Sequence, residues 1–449
     1  MAKRQRGVSR QDAKLLARAV SSHMTDGLIS LLLDRGCSQE QASRLSGHFD
    51  RLGPGTVRLF VPGRIELVGN HVDYAGGSSL TMATSRGLAV VADPIAESVL
   101  RVEVASQGLA ADFPLETSIR GEGWATYPAT LIRRIMGNIP SASGRGGAHI
   151  RIFSDLPLAS GLSSSSAFLI ALFLGWGHAA EWIEDPLLQD HLPDDQALAD
   201  YVATIENGRD FGALKGRLGV GTAGGSQDHT AIVRSRAGHI GRYRYINPRR
   251  EGLWAWPEGI WPLVLVSGVV AEKAGAALED YNAAVELARG LLEAWNATGQ
   301  SVAGIGLLSD ADLALLGERV SGQLGRRLAA FRAERVAVNS AADALEAGDL
   351  GAFATSVNRS QETKETLLQN QIPETVTLCK LAREHGALAA TSFGAGFGGA
   401  VLALMPVGSE DRTGSILSAY EARHNQTGAA LLEQPGPGAF LLEGGSLRG

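Results

Sequence analysis

Apolar residues recur along this chain with two periods, and each change of period marks an element. From Gln11 to Leu52 they fall at helical spacing, as in Leu15-Leu16, Ala19-Val20, Leu28 and Leu31-Leu32. Val57–Val61 turns strand-like and runs into Pro62-Gly63; Gly87–Pro94, Leu100–Ser106 and Ala148–Phe153 predict further strands, bounded by turn residues. Trp124–Met136 predicts a helix and Ala167–Trp182 an apolar, buried one. Asp194–Asn207 predicts a third, with acids at its start and Gly208 just past its end. After a Pro/Trp-rich connection, Asn247–Trp261, a strand at Trp261–Val266 opens a second half. Helices are expected there at Ala274–Trp295, Asp310–Leu316, Leu324–Ala347, Leu350–Asn370, Thr375–Glu384 and Ser415–His424. Strands are expected at Ala387–Thr391, Ala400–Met405 and near Gly438–Leu442. Helices and strands mix without strict alternation, which predicts α+β in both halves, and no repeat of solenoid length occurs.

Three segments break this patterning: Pro62–Gly77 (PGRIELVGNHVDYAGG), Asp155–Ala167 (DLPLASGLSSSSA) and Phe393–Ala400 (FGAGFGGA). In the second, a strand gives way to Gly161 and four serines, Ser163–Ser166, and then at once to an apolar helix. Unpaired N–H groups and the positive helix end then lie beside small hydroxyls, which makes an anion site. The plainer alternative is a serine cap on a buried helix, for which one serine would suffice. The first segment crowds Arg64, Glu66, Asn70, His71, Asp73 and Tyr74 between Ile65, Leu67 and Val68. Such polar density is costly to bury without partners, and a polyhydroxylated ligand supplies them; a surface turn is the alternative. The third contains G-x-G-x-x-G through Gly394, Gly396 and Gly399. A dinucleotide fold needs a helix directly after it, whereas Ala400–Met405 reads as a strand ended by Pro406, which weighs against a nicotinamide oxidoreductase. A fourth stretch, Gly219–His229, ends with Asp228 in a glycine-rich setting. Asp190, His191, Asp210, His385 and His424 lack metal-ligand spacing and read as surface.

Composition narrows the setting. At 449 residues two domains are expected, and 45% apolar with 20% charged residues fits a globular protein with a large core. The net charge of −6 gives no reason to invoke nucleic acid or acidic membranes, and Lys3-Arg4-Gln5-Arg6 reads as a solvated tail. Two cysteines, Cys37 and Cys379, cannot build a disulfide framework or a four-ligand zinc site. With no apolar run of about 18 residues and no signal-peptide core, a cytoplasmic protein is expected.

The order GR-x-E-x-x-GNHxDYxGG, then P-x-x-x-GLSSSS, then GAGFGG resembles the galactokinase branch of the GHMP small-molecule kinases. Smaller echoes lie at Trp124–Tyr127, Ile205–Asn207, Asp280–Asn282, Asn358–Ser360 and Ile372–Glu374, so the likeness spans about Val57 to Gly399. The H-x-D-Y element is particular to the sugar-kinase branch. The resemblance implies a two-domain α+β fold, ribosomal-protein-S5-like over 1–255 and ferredoxin-like over 256–449. It implies an ATP- and Mg²⁺-dependent kinase acting on a hydroxyl, in this family mostly the anomeric one, of a sugar or sugar-like polyol. A sugar and ATP sensor without turnover is the alternative. The serine loop (Gly161, Ser163, Ser164, Ser165, Ser166), with Gly394 and Gly396, would cradle the phosphates, and Trp124 would lie near the adenine. Ser164 or Ser165 would hold Mg²⁺ with Glu206. Asp228 takes the place of the catalytic aspartate and Arg64 of its paired arginine, a guanidinium that favours the ionised carboxylate and offsets charge on the transferred group. Asn70, His71, Asp73 and Tyr281 take sugar-contacting places, with Glu66 and Tyr74 beside them.

The chain departs from the family pattern in three places. Galactokinases carry Asn at the position of Glu66 and Glu at that of Asn70, so the two are exchanged here. A moved charge in a hydroxyl-reading site changes which polyol fits, and points away from galactose. Ala159 and Ser166 replace a glycine and an alanine, and Gly208–Gly219 is extra length that is expected to reshape the sugar pocket.

Overall fold

The computed structural model describes residues 27–157, 160–269 and 276–448. Of the long N-terminal helical pattern, residues 11–26 lie outside the described residues, as do Ala159 and the start of the helix expected from Ala274. The described remainder of that pattern forms two helices, over 27–34 and Gln39–Leu52, the second capped by the Ser38 side chain. Their apolar faces pack with Phe60, Ala89, Val91 and Phe440.

The first half is built on a nine-stranded sheet. Strand β1 (Val57–Val68) pairs antiparallel with the 18-residue β2 (Ser78–Ile95), which pairs with β5 (Gly147–Ser154); β3 (Val99–Val104) lies parallel to β5 and antiparallel to β4 (Leu109–Pro114). The other end of β2 carries β6 (His239–Arg244) and, beyond it, β7 (Arg249–Ala255). Against this sheet lies the helix Ser164–Ala179, apolar on every side and therefore buried all round. The helices Thr126–Asn138 and Asp195–Asn207 enclose it from the far side.

The second half holds a four-stranded antiparallel sheet in the order β11 (Ala429–Leu432), β8 (Ile260–Val266), β10 (Ala400–Pro406), β9 (Ala389–Ser392). One face packs on the helices Pro373–Glu384 and Arg412–His424. Two further helices, Gly322–Ala347 and Leu350–Thr363, stand between this sheet and β1, so the loop after β1 is packed from both halves. The chain then returns: β12 (Pro435–Gly436) pairs with β2, and β13 (Phe440–Leu441) with β1. The last residues therefore belong to the first sheet, on the far side of the expected boundary at 255. Among the described residues no helix is long and apolar enough to cross a membrane, and both cysteines are free and buried.

Several elements differ from the pattern-based reading. The strand begun at Val57 does not stop at Pro62-Gly63. It continues to Val68 with register shifts at Pro62/Arg64 and Glu66/Val68, so Arg64 and Glu66 stand on a buried strand rather than in a surface turn. Gly63 is needed there: a Cβ would lie 2.7 Å from the Leu162 carbonyl, and Arg64 N–H donates to that same oxygen. The stretch Asn247–Trp261 contains β7 and is not a bare connection. The helix expected to Asn370 ends at Thr363 and passes into a π-helical turn, Lys364–Leu368. Asp228 lies in the first turn of a helix, Gln227–Arg234, that the glycine-rich surroundings concealed.

Candidate active site

The serine loop is held in a conformation few non-glycine residues adopt. Ser163 has φ 57°, at a cost of order 1–3 kcal/mol. It occupies the N-cap position but makes no capping hydrogen bond; its hydroxyl donates instead to Asp228 Oδ2 at 2.5 Å. Ser166 donates to Glu206 Oε2 at 2.9 Å, and Ser165 bonds the Tyr127 hydroxyl. These serines are thus committed to other side chains and not to the cap, so the N–H groups of the helix's first turn keep their capacity for an anion. Ser164 is half-buried beside them. The direct contact of the loop with Glu206 is thus made by Ser166.

Arg64 clamps the centre. Its Nε donates to Asp228 Oδ1 at 2.7 Å and its Nη1 to the Gly161 carbonyl at 2.6 Å, tying strand β1, the serine loop and the Asp228 helix at one point. Arg64 is 3% exposed, so the guanidinium is available only to groups inside the cleft.

Around this point Arg64, Glu66, Asp73, Glu206, Asp228 and Tyr281 line one cleft, joined by Asn70, His71, Tyr74, Ser166 and Gly394. His71, itself at φ 56°, bonds the Tyr74 hydroxyl through Nδ1 at 2.8 Å and packs edgewise on Tyr74 and against Tyr281. Burial pushes Asp73 up to about 6 against the opposing hydrogen bond from the Tyr74 N–H, with the Asp228 charge adding to the rise. Burial likewise pushes Tyr74 to about 12 and Tyr281 well above an ordinary phenol, so both are neutral donors. His229, 2% exposed, was not singled out in the sequence; its Nε2 lies 3.1 Å from Glu206 Oε2.

The exchanged pair meets on the floor of the cleft. Asn70 Nδ2 donates to Glu66 Oε2 at 3.1 Å and to the Gly394 carbonyl at 2.8 Å, while Asn70 Oδ1 accepts from Asn370. Glu66 Oε2 also accepts from Gln227 Nε2 at 2.6 Å. Its other oxygen faces Lys364 Nζ at 3.4 Å, a lysine with no solvent exposure that also donates to Thr391 Oγ1 and the Ser392 carbonyl. Next to it Glu334, buried, accepts from the backbone N–H groups of Gly69 and Asn70 and from Ser360. Desolvation outweighs these donors and pushes Glu334 up to about 7. Neither Lys364 nor Glu334 carried a sequence signal, since each stands in a charged helical run that reads as solvated. In the structure Lys364 alone has a local mark, the π-helical turn that it opens.

The remaining candidates lie at different distances from this centre. Trp124 is half-buried outside the cleft, edge-on to Phe113 and Phe168, and so forms an aromatic wall beside the first turns of the serine helix. Gly394 lines the cleft, whereas Gly396 packs on Asn370 and Gly399 on the Ser160 carbonyl, 2.9 Å from where a Cβ would stand. The glycine loop thus allows the second half to press against the serine loop. The extra segment 208–219 folds away from the cleft, onto the helix Thr126–Asn138: Arg134 donates to the Arg209 and Leu214 carbonyls, and Asn138 to that of Lys215. Asp210 is exposed and paired with Lys215, and His191 is bonded within its own short helix.

Comparison with known proteins places this geometry. Residues 46–94 match the galactokinase galactose-binding signature, 130–236 the GHMP kinases N terminal domain and 341–423 the GHMP kinases C terminal model. The chain is 27% identical over 402 residues to a galactokinase of Thermococcus kodakarensis, covering 86% of this chain and 100% of the relative. To a galactokinase of Chloroflexus aggregans it is 26% identical, covering 87% and 94%. Among solved structures, Lactococcus lactis galactokinase complexed with galactose superposes with a TM-score of 0.69 at 21% identity, over 86% of this chain and 94% of that one. Methanococcus jannaschii mevalonate kinase does so at 0.54 and 14%, over 85% and 99%; likenesses this distant speak for the fold alone. Signature, domain models, full-length relatives and shared fold agree, and the chain belongs to the GHMP kinase family, in its galactokinase-like branch.

Proposed function

We propose that this protein is an ATP-dependent sugar kinase in which Asp228 and Arg64 act on the sugar hydroxyl. The supporting observation is the convergence of Arg64, Asp228 and Ser163 within hydrogen-bond distance at the mouth of the serine loop, inside the cleft that His71, Asp73 and Tyr281 also line. Phosphoryl transfer needs positioning and charge neutralisation more than covalent chemistry. In this reading Asp228 orients the attacking hydroxyl and accepts its proton, and Arg64 offsets negative charge on the transferred group. Serine-loop N–H groups and Gly394 hold phosphate oxygens, with Trp124 at the adenine side. Asn70, His71, Asp73, Tyr74 and Tyr281 read the sugar hydroxyls, the two phenols as donors.

Mg²⁺ fits the residues present. Glu206 is a buried carboxylate at the edge of the serine loop, and among the described residues no group of three or more His, Cys, Asp or Glu side chains could hold a metal unaided. Glu206 with a hydroxyl from Ser165 or Ser166 would therefore supply the protein ligands, the rest coming from phosphate oxygens and water. When bound, the ion neutralises phosphate charge.

The Glu66–Asn70 exchange bears on the substrate. Asn70 and Glu66 Oε2 are held by each other and by Gln227, Gly394 and Asn370, while Glu66 Oε1 makes no hydrogen bond and faces Lys364. The floor therefore offers a sugar a differently placed charge, and a polyol other than galactose is the proposed acceptor. We place the protein in the cytoplasm and divide it into domains near residue 255, with the return strands β12 and β13 completing the first. The sensor alternative is disfavoured by the intact Arg64–Asp228–Ser163 arrangement. A kinase-coupled screen of hexoses, pentoses, heptoses, uronic acids and inositols, with the product located by NMR, tests the reading. One sugar phosphorylated more efficiently than galactose is expected. Galactose as the best substrate would overturn the specificity argument, and binding without product would overturn the kinase itself.

A further inference from the structure

Behind the sugar motif lies a second polar concavity, of about 240 Å³, separate from the catalytic cleft. Strand β6 forms one wall with Arg242 and Arg244, two residues apart and so on one face. The helix Gly322–Ala347 forms the other with Arg335, Val338 and Asn339, and Val72, Gly77 and Phe331 make the floor. No carboxylate lines it. The nearest enclosed one, Glu251 on β7, is shared among three guanidiniums: Arg242 Nε at 3.0 Å, Arg244 Nε at 2.8 Å and Arg249 Nη2 at 3.4 Å. Arg335 lies 3.5 Å from Asp310, whose side chain is 88% exposed and screened by solvent. Of the three arginines that line it, two share one enclosed carboxylate and the third faces a solvent-screened one, so positive charge is in excess around a concavity with room for a small anion. Asn339 Oδ1 accepts from Arg242 Nη2 at 2.8 Å, which fixes that guanidinium at the rim. Guanidiniums with fixed planes around an apolar floor match the tetrahedral oxygens and the small body of a phosphate ester.

We propose that this concavity binds a small phosphate-bearing anion of about sugar-phosphate size. Its charge and shape carry the proposal independently of the kinase reading. The consequence does depend on that reading: Val72 stands between His71 and Asp73, and Arg327 of the same helix donates to the His71 carbonyl. An occupant bridging β6 and the helix would therefore brace the loop that presents both residues to the sugar.

Calorimetric titration of the full chain with pyrophosphate, and separately with a hexose 1-phosphate, tests it, with ADP and the best sugar of the screen both saturating so that the nucleotide and sugar parts of the catalytic cleft are occupied. One further binding event is expected, weakened about tenfold or more by Arg244→Gln and by Arg335→Gln, charge-assisted bonds being of that strength. Arg249→Gln removes equal charge but does not line the concavity, and should leave the event within about twofold. Asn339→Asp keeps the acceptor for Arg242 and adds a negative charge to the lining; it should abolish binding without removing any arginine. Absence of the event in the wild-type chain, or an equal loss in all three arginine variants, would overturn the proposal. Failure of ADP itself to bind would count against the nucleotide site and leave the anion titration readable.

Discussion

At the scale of single residues, the cleft concentrates its chemistry on Asp228, whose two oxygens are held by different elements: Oδ1 by Arg64 and Oδ2 by Ser163. Asp228→Asn keeps the shape and loses the base. Turnover should fall roughly 10²–10⁴-fold with the KM for ATP little changed, which steady-state kinetics will read; near-normal turnover would move the role to another group. Lys364 acts from below. It is the only cation placed against the buried Glu66 oxygen among the described residues, and removing one partner of such a pair leaves an uncompensated charge. Lys364→Met should therefore cost about 3–5 kcal/mol in denaturant unfolding. The double variant with Glu66→Gln should recover most of that loss. Equal instability of single and double variants would mean that the lysine matters for its packing alone.

At the scale of elements, much was legible because pattern and local chemistry agreed. The helix over Asp195–Asn207 has the Asp194 cap and the left-handed Gly208 stop that its sequence announces. Asp194→Ala should cost about 1 kcal/mol of stability and leave turnover unchanged, as thermal unfolding and kinetics together will show; lost turnover would tie this helix end to the position of Glu206. The misreadings share a physical cause, tertiary partners overriding local signals. Pro62-Gly63 looks like a strand end, yet a bulge carries β1 through it because the serine loop covers the irregularity. β7 hides in a Pro/Trp-rich stretch because it is an edge strand with mixed exposure. The short return strands β12 and β13 have too few residues to show a period. For the site, the motif residues were readable as clusters, but their partners were not. Lys364, Glu334 and His229 are buried by elements far away in sequence, and burial of a lone charged residue leaves no periodic trace.

At the scale of the whole molecule, the second half closes over the first at the cleft, and carboxyls of both halves are enclosed there or close by. Burial pushes Asp73 and Asp200 up to about 6 and Glu334 up to about 7. Each holds its proton more tightly folded than unfolded. Their stabilising contribution is therefore complete below the ordinary carboxylate range and is lost as pH rises through 6 to 7. His48 and His178, held below the ordinary imidazole value by burial, act in the opposite sense as pH falls. The test is accordingly a difference. Relative to wild type, Glu334→Gln should lose less stability between about pH 5 and pH 7.5 in urea unfolding, and parallel profiles would assign the pH dependence elsewhere.

The union of nucleotide and sugar at one carboxylate is most directly tested by single-turnover transfer of labelled γ-phosphoryl from ATP to the best sugar of the screen, at saturating concentrations of both, in wild type and Asp228→Asn. The convergence of Arg64, Ser163 and Asp228 predicts a labelled sugar phosphate from the wild-type chain and a transfer step slowed by at least about a hundredfold in the variant. Equal transfer rates in the two proteins, or no labelled sugar from either, would contradict it.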